Sequence, residues 1–145
     1  MDLVYYGEDL PEIITRSIFL GGVSSRNLDE VPSWRPDALK ILEDIGFEDG
    51  LVFIPEYRND KSERLSYEQI VEWEEKHLHI ADCIIFWLNR DLSLDSKGNA
   101  KNLGLISNVE IGKWIDSGKT VLGFPENAEK TRYQKYYAEK YNVPI

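Results

Sequence analysis

The chain has 145 residues, enough for one ordinary domain with a real core. Hydrophobic residues make up 42% and charged residues 30%, a normal balance for a soluble globular protein. A net charge of −9 argues against a nucleic-acid polymer or an anionic membrane as partner, since both want a basic face, but leaves room for a small phosphorylated ligand. The single cysteine, Cys83, excludes an internal disulfide and a cysteine-based metal site, and it fits a reducing compartment. The acidic start, MDLVYYGEDLPE, lacks the basic region and apolar run of a signal peptide. No apolar run approaches the ~18 residues a membrane span needs. A cytoplasmic protein with one domain over residues 1–145 is expected.

In chain order, Leu3–Tyr6 reads as a short edge strand or an arm. Ser17–Leu20 is a short apolar run ended by Gly21-Gly22, as in a buried strand whose end needs open backbone geometry. The loop after it carries Ser24, Ser25 and Arg26. A helix is expected from Ser33, with Ser33 as cap, Pro36 in the first turn, and Leu39, Leu42 and Ile45 at helical spacing. Leu51–Ile54 is a second buried strand, closed by Pro55. The pair Ser66-x-x-Gln69 predicts a capping box and a helix to about Ile80. Cys83–Leu88 is a third buried strand. Residues 89–105 read as a long loop, and a helix over about 108–117 ends at Gly118. Thr120–Gly123 is a fourth strand. Tyr133, Tyr136, Tyr137 and Tyr141 sit at helical spacing in the tail.

Continuous apolar strands alternating with helices predict an α/β fold with a mainly parallel sheet covered on both faces. Ligands in such folds bind at the carboxyl ends of the strands. Those ends are Gly21-Gly22, Pro55-Glu56-Tyr57, Asn89-Arg90-Asp91 and Gly123-Phe124-Pro125.

The chemistry on offer is carboxylate chemistry. Neither nucleotide-binding glycine fingerprint is present, so Gly21-Gly22 is either a ligand approach or a turn needing positive φ. His77 and His79 have no third ligand near them, and no metal or other cofactor is expected. The candidate acids are Glu56, Glu74, Asp82, Asp91 and Glu110. Glu74 shares a stripe with Tyr67, Val71 and Leu78, so it either sits at the edge of that stripe or faces a polar pocket; the alternative is that Ile70, Trp73 and His77 form the buried face and Glu74 is solvated. Glu110 is open to two readings. Ser107-x-x-Glu110 matches a capping box in the first turn of its helix, yet Glu110 also borders the apolar Ile106 and Trp114.

Taken together, the sequence resembles the nucleoside 2-deoxyribosyltransferase-like proteins. The residues that carry this are Ile18–Gly22, Ser33-Trp34-Arg35, Val52–Glu56, Trp73-Glu74 running into Ala81–Trp87, Asn89-Arg90-Asp91, and Ser107–Lys119 with its E-x-G-x-x-x-x-x-G-K run. The resemblance covers about residues 17–125 and points to a divergent branch. It implies a flavodoxin-like, Rossmann-like three-layer sandwich that assembles as a homodimer or larger homo-oligomer. It implies cleavage or transfer at the N-glycosidic bond of a (deoxy)nucleoside or nucleotide, with Glu110 as nucleophile and a covalent glycosyl-enzyme intermediate. Glu74 would hold the sugar hydroxyls, and Asp91 would bind or protonate the base. Gly21, Gly22, Arg35, Arg90 and Asn108 complete the expected substrate side. The family usually has an aromatic just beyond its first strand, where this chain has Gly21-Gly22. A neighbouring subunit's Asn often completes the family's site. Ser24, Ser25, Arg26 and Arg35 are the candidate phosphate donors. The alternatives are a non-catalytic nucleotide-binding or sensing module on the same fold, and an interaction protein that uses its Trp and Tyr surfaces.

Overall fold

The computed structural model describes residues 1–25 and 27–145. Five parallel strands form one sheet in the order β1-β3-β2-β4-β7, flanked by four helices, as in a flavodoxin-like three-layer fold. They are β1 (Asp2–Tyr5), β2 (Ser17–Gly22), β3 (Leu51–Ile54), β4 (Cys83–Trp87) and β7 (Thr120–Gly123). The helices are α1 (Arg35–Asp44), α2 (Tyr67–Ile80), α3 (Leu105–Trp114) and α4 (Arg132–Lys140). The N-terminal segment is thus a true edge strand, paired in register with β3 from Asp2 with Leu51 to Tyr5 with Ile54. On the other side of β3, Ser17, Ile18 and Phe19 pair with Leu51, Val52 and Phe53. All four residues of β3 are buried, which explains its unbroken apolar run.

Residues 89–105 are not the featureless loop expected. They contain an antiparallel hairpin, β5 (Asp91–Leu94) with β6 (Ala100–Asn102). Its turn is built on Asp95, whose Oδ1 accepts from the amides of Lys97 and Asn99 at 2.9 and 3.0 Å. The other correction concerns α3. It begins at Leu105, three residues before the expected start, with Gly104 as N-cap at φ +68°. Ser107 is therefore a buried helical residue and not a cap. By contrast, the capping box of α2 forms as expected, with Ser66 Oγ and Gln69 Oε1 each taking the other's amide.

The chain divides into two compact units, residues 1–20 with 35–84, and residues 21–34 with 85–145. In the first, Phe19, Phe53, Trp73 and Leu78 are core residues. His77 stacks on Trp73 with ring centroids 3.9 Å apart. Burial lowers the His77 pKa, and Nδ1 donates to the Trp73 carbonyl oxygen at 2.6 Å. In the second unit, Phe86, Leu88, Ile111, Trp114 and Leu122 form the core. Each such side chain is stabilised by roughly 1.5–3 kcal/mol on burial.

Candidate active site

The strand order changes direction at β2. From β2 the chain moves outward to β3, and β4 lies on the opposite side. Ligand sites of open α/β sheets form beyond such a switch point. Here the backbones approach closely. Gly22 has φ +117°, and a Cβ there would fall 2.2 Å from the Trp87 carbonyl oxygen. A Cβ on Gly21 would meet the Phe86 ring at 2.6 Å. Packing against β4 therefore accounts for both glycines. Trp34 closes over the same strand ends, donating from Nε1 to the Val23 carbonyl at 3.2 Å, with its ring 6.4 Å from that of Trp87.

Arg90 lies just beyond β4 and is only 5% exposed. Its Nε donates to the Leu103 carbonyl at 2.8 Å and its Nη1 to the Lys130 carbonyl at 2.6 Å. Its Nη2 donates to Asn108 Oδ1, which also accepts from Gln134 Nε2 at 2.8 Å. One guanidinium thus fixes the end of the hairpin, the first turns of α3 and the segment before α4. Both donors converge on Asn108 Oδ1, so the Asn108 amide nitrogen faces away from Arg90 and Gln134.

Gly104 is required where β6 gives way to α3, because a Cβ there would press Val23 and Leu88 at 3.0 and 3.1 Å. The helix it starts places Glu110 in its second turn. Glu110 lies three residues after Ser107 and four before Trp114, both of which are buried. At those spacings Glu110 shares their inward stripe, and its side chain is half-buried. The capping-box explanation for Glu110 is removed by this register.

Asp91 opens β5. Its Oδ1 accepts from the Ser93 amide at 2.9 Å and the Ser93 hydroxyl at 2.6 Å, and these bonds hold its pKa below the usual value. It is an acceptor in this structure, a poor source of a proton. Ser25 Oγ accepts from the Asn27 amide at 3.1 Å, and Ser24 is exposed. Arg26 lies outside the described residues.

In the first unit, Arg35 at the start of α1 is 1% exposed. Its Nε donates to the Leu20 carbonyl at 2.9 Å and its Nη1 to Glu56 Oε1 at 2.6 Å. That guanidinium is engaged within the protein, which is not the open phosphate donor the sequence suggested. Glu74 sits at the border of the buried face of α2. Trp73, His77 and Leu78 form that face, while Tyr67 and Val71 are 70% and 43% exposed, so the Tyr67–Val71 stripe is not the inner one. Glu74 is not solvated either. It is half-buried and accepts at Oε1 from the Tyr6 hydroxyl at 2.5 Å. Burial raises its pKa, with the Tyr6 bond and the Arg35 charge opposing that rise.

Asp82 has a different task. It precedes β4 at the amino end of the sheet, where Oδ2 accepts from the Ser17 amide at 2.8 Å. It pins the start of β2 and is remote from the strand ends where ligands bind. Among the described residues no group of three or more His, Cys, Asp and Glu could hold a metal, and no helix is long and apolar enough to cross a membrane. Tyr6 is the polar residue that sequence reasoning missed. Carrying the edge-strand reading of Leu3–Tyr6 through to its carboxyl end would have added Tyr6 to the strand ends considered.

A family model described as nucleoside 2-deoxyribosyltransferase like matches residues 15–128. No curated protein matches the chain. The matched stretch includes Glu74, Arg90, Asp91, Asn108 and Glu110, and it leaves out β1 and α4.

Proposed function

Because this chain belongs to the nucleoside 2-deoxyribosyltransferase-like family, we propose that it cleaves or transfers at the N-glycosidic bond of a (deoxy)nucleoside or nucleotide through Glu110. A Glu110 carboxylate oxygen attacks the anomeric carbon as the bond to the base nitrogen breaks, and the departing base takes up a proton from solvent water. The glycosyl ester is then opened by an incoming base, giving transfer, or by water, giving hydrolysis, and either route frees the carboxylate. Glu74 holds sugar hydroxyls. Asp91, kept ionised by Ser93, accepts hydrogen bonds from the base. Arg90 orders the start of α3, and Asn108 offers its amide nitrogen to the substrate.

The register of α3 supports this reading most. It takes Glu110 out of the capping position and puts it on the inward stripe of a helix in the second unit, the unit that holds the carboxyl ends of β2 and β4. The test is incubation with a panel of nucleosides and 5′-nucleotides, with and without acceptor base, followed by chromatography for free base. Glu110→Gln should reduce turnover by at least ~10³-fold, the scale expected when a covalent nucleophile is removed. Full activity in that variant rejects the mechanism.

A second reading, binding without turnover, is favoured by Asp91, whose Oδ1 is engaged as an acceptor by the Ser93 amide and hydroxyl. Saturable nucleotide binding with no free base over time would support it. A homo-oligomer belongs to the same proposal. Leu105, Ile106 and Val109 are 66%, 58% and 72% exposed on α3, a helix whose opposite side is also apolar. Light scattering on the purified chain checks the assembly.

A further inference from the structure

Residues 1–14 lie outside the stretch that the family model matches. Yet β1 pairs with β3 along its whole length, and parallel pairing sets the carboxyl ends of the two strands side by side. Tyr6 is the first residue beyond β1, and its amide donates to the Glu56 carbonyl at 3.0 Å. Its ring packs edge-on against Tyr57 and Trp73, at centroid distances of 5.3 and 5.1 Å. With backbone and ring both fixed, the hydroxyl reaches Glu74 Oε1 at 2.5 Å. A carboxylate has two oxygens, and this bond leaves Oε2 as the one to meet a ligand.

We propose that Tyr6 is a positioning residue: it holds Glu74 by Oε1 so that the carboxylate presents Oε2 to a sugar hydroxyl of the substrate in one orientation. The sugar role rests on the function proposed above. The hold itself does not. The groups that act on Glu74 are Tyr6 beyond β1 and Arg35 of α1, which is itself paired with Glu56 beyond β3. On its own helix, His77 lies one turn further on. Losing a charge-assisted donor removes the preference for one carboxylate orientation, which weakens ground-state binding more than it slows chemistry.

The experiment uses the full chain with Tyr6→Phe, which keeps the ring and its packing and removes only the hydroxyl. Carbon-13 NMR of Glu-labelled protein follows the Glu74 carboxyl, identified by its absence in Glu74→Gln. Its midpoint should move to higher pH in Tyr6→Phe, because a donor to the charged form is gone. KM for the nucleoside turned over should rise about tenfold, with kcat changed less than about twofold. In a Glu74→Ala background, Tyr6→Phe should change KM no further. Tyr5→Phe, at the last residue of β1, should leave KM as in the wild type. An unmoved Glu74 titration overturns the hold. A moved titration with unchanged KM overturns the sugar role, as does a loss of kcat and melting temperature without a change in KM. A wild type that turns over no nucleoside overturns the glycosidic reading and the sugar role with it, while the titration still decides whether Tyr6 holds Glu74.

Discussion

Gly22 and Glu74 show how different physical terms fix single positions. Gly22 combines a left-handed φ of +117° with a backbone wall 2.2 Å from where a Cβ would stand. No side chain can yield there, because the obstacle is the β4 carbonyl. Gly22→Ala should destabilise the protein by more than ~4 kcal/mol or prevent its accumulation, read by urea unfolding and soluble yield. A Gly after a strand was legible as special, but its cause was not, since the sequence names no neighbour. Glu74 has a pKa raised chiefly by burial. The native state therefore holds this proton more tightly than the unfolded chain does. Stability from this group is full below the ordinary Glu value, about 4.3, and is lost as pH rises through the higher folded value. Glu74→Gln keeps an acceptor for Tyr6 and removes the charge. It should be more stable than wild type at pH 7, and that gain should vanish near pH 3. An equal gain at both pH values, by urea unfolding, contradicts this account. Arg35 has the opposite character, a buried cation with a carboxylate partner. Arg35→Ala should cost about 3 kcal/mol, the lower end for breaking a buried pair, since Glu56 remains 24% exposed.

At the scale of elements, α3 was the informative error. Ser107-x-x-Glu110 has the letters of a capping box, and Leu105 before it reads as the end of a loop. The helix instead starts from a left-handed Gly104 wedged against Val23 and Leu88, a packing constraint invisible from residue order. Two substitutions separate the registers. Gly104→Ala should cost about 1–3 kcal/mol through its positive φ and crowded Cβ. Ser107→Ala should cost less than ~1 kcal/mol, below the usual loss at an N-cap. The reverse order in chemical denaturation would restore the capping register. The β5–β6 hairpin was illegible for another reason. Its strands are short and largely polar or exposed, so neither an alternating face nor an apolar run marked them. Helix α2 was readable because both halves of its capping box lie within four residues of each other.

For the whole molecule, the parallel sheet was legible because buried strands must be apolar throughout and each was followed by a helical period. The place of β1 was not. Asp2-Leu3-Val4-Tyr5 buries only Val4 fully, as an edge strand should, and so gives a weak signal. Its amides should exchange with solvent faster than those of β2, whose first five residues are buried. Hydrogen exchange that protects both strands equally would contradict the edge position.

The pairing of β1 also bears on the order in which the chain assembles. Asp2 finds its partner only when Leu51 has been made, and Tyr6 meets Glu74 only when α2 is formed. β1 thus stays unpaired until the chain through β3 is made, and closing that span costs loop entropy. Until then one side of β3 is an open edge that accepts any matching strand. Crowded refolding should therefore trade β1 between copies, each chain lending its Tyr6 to a neighbour's Glu74.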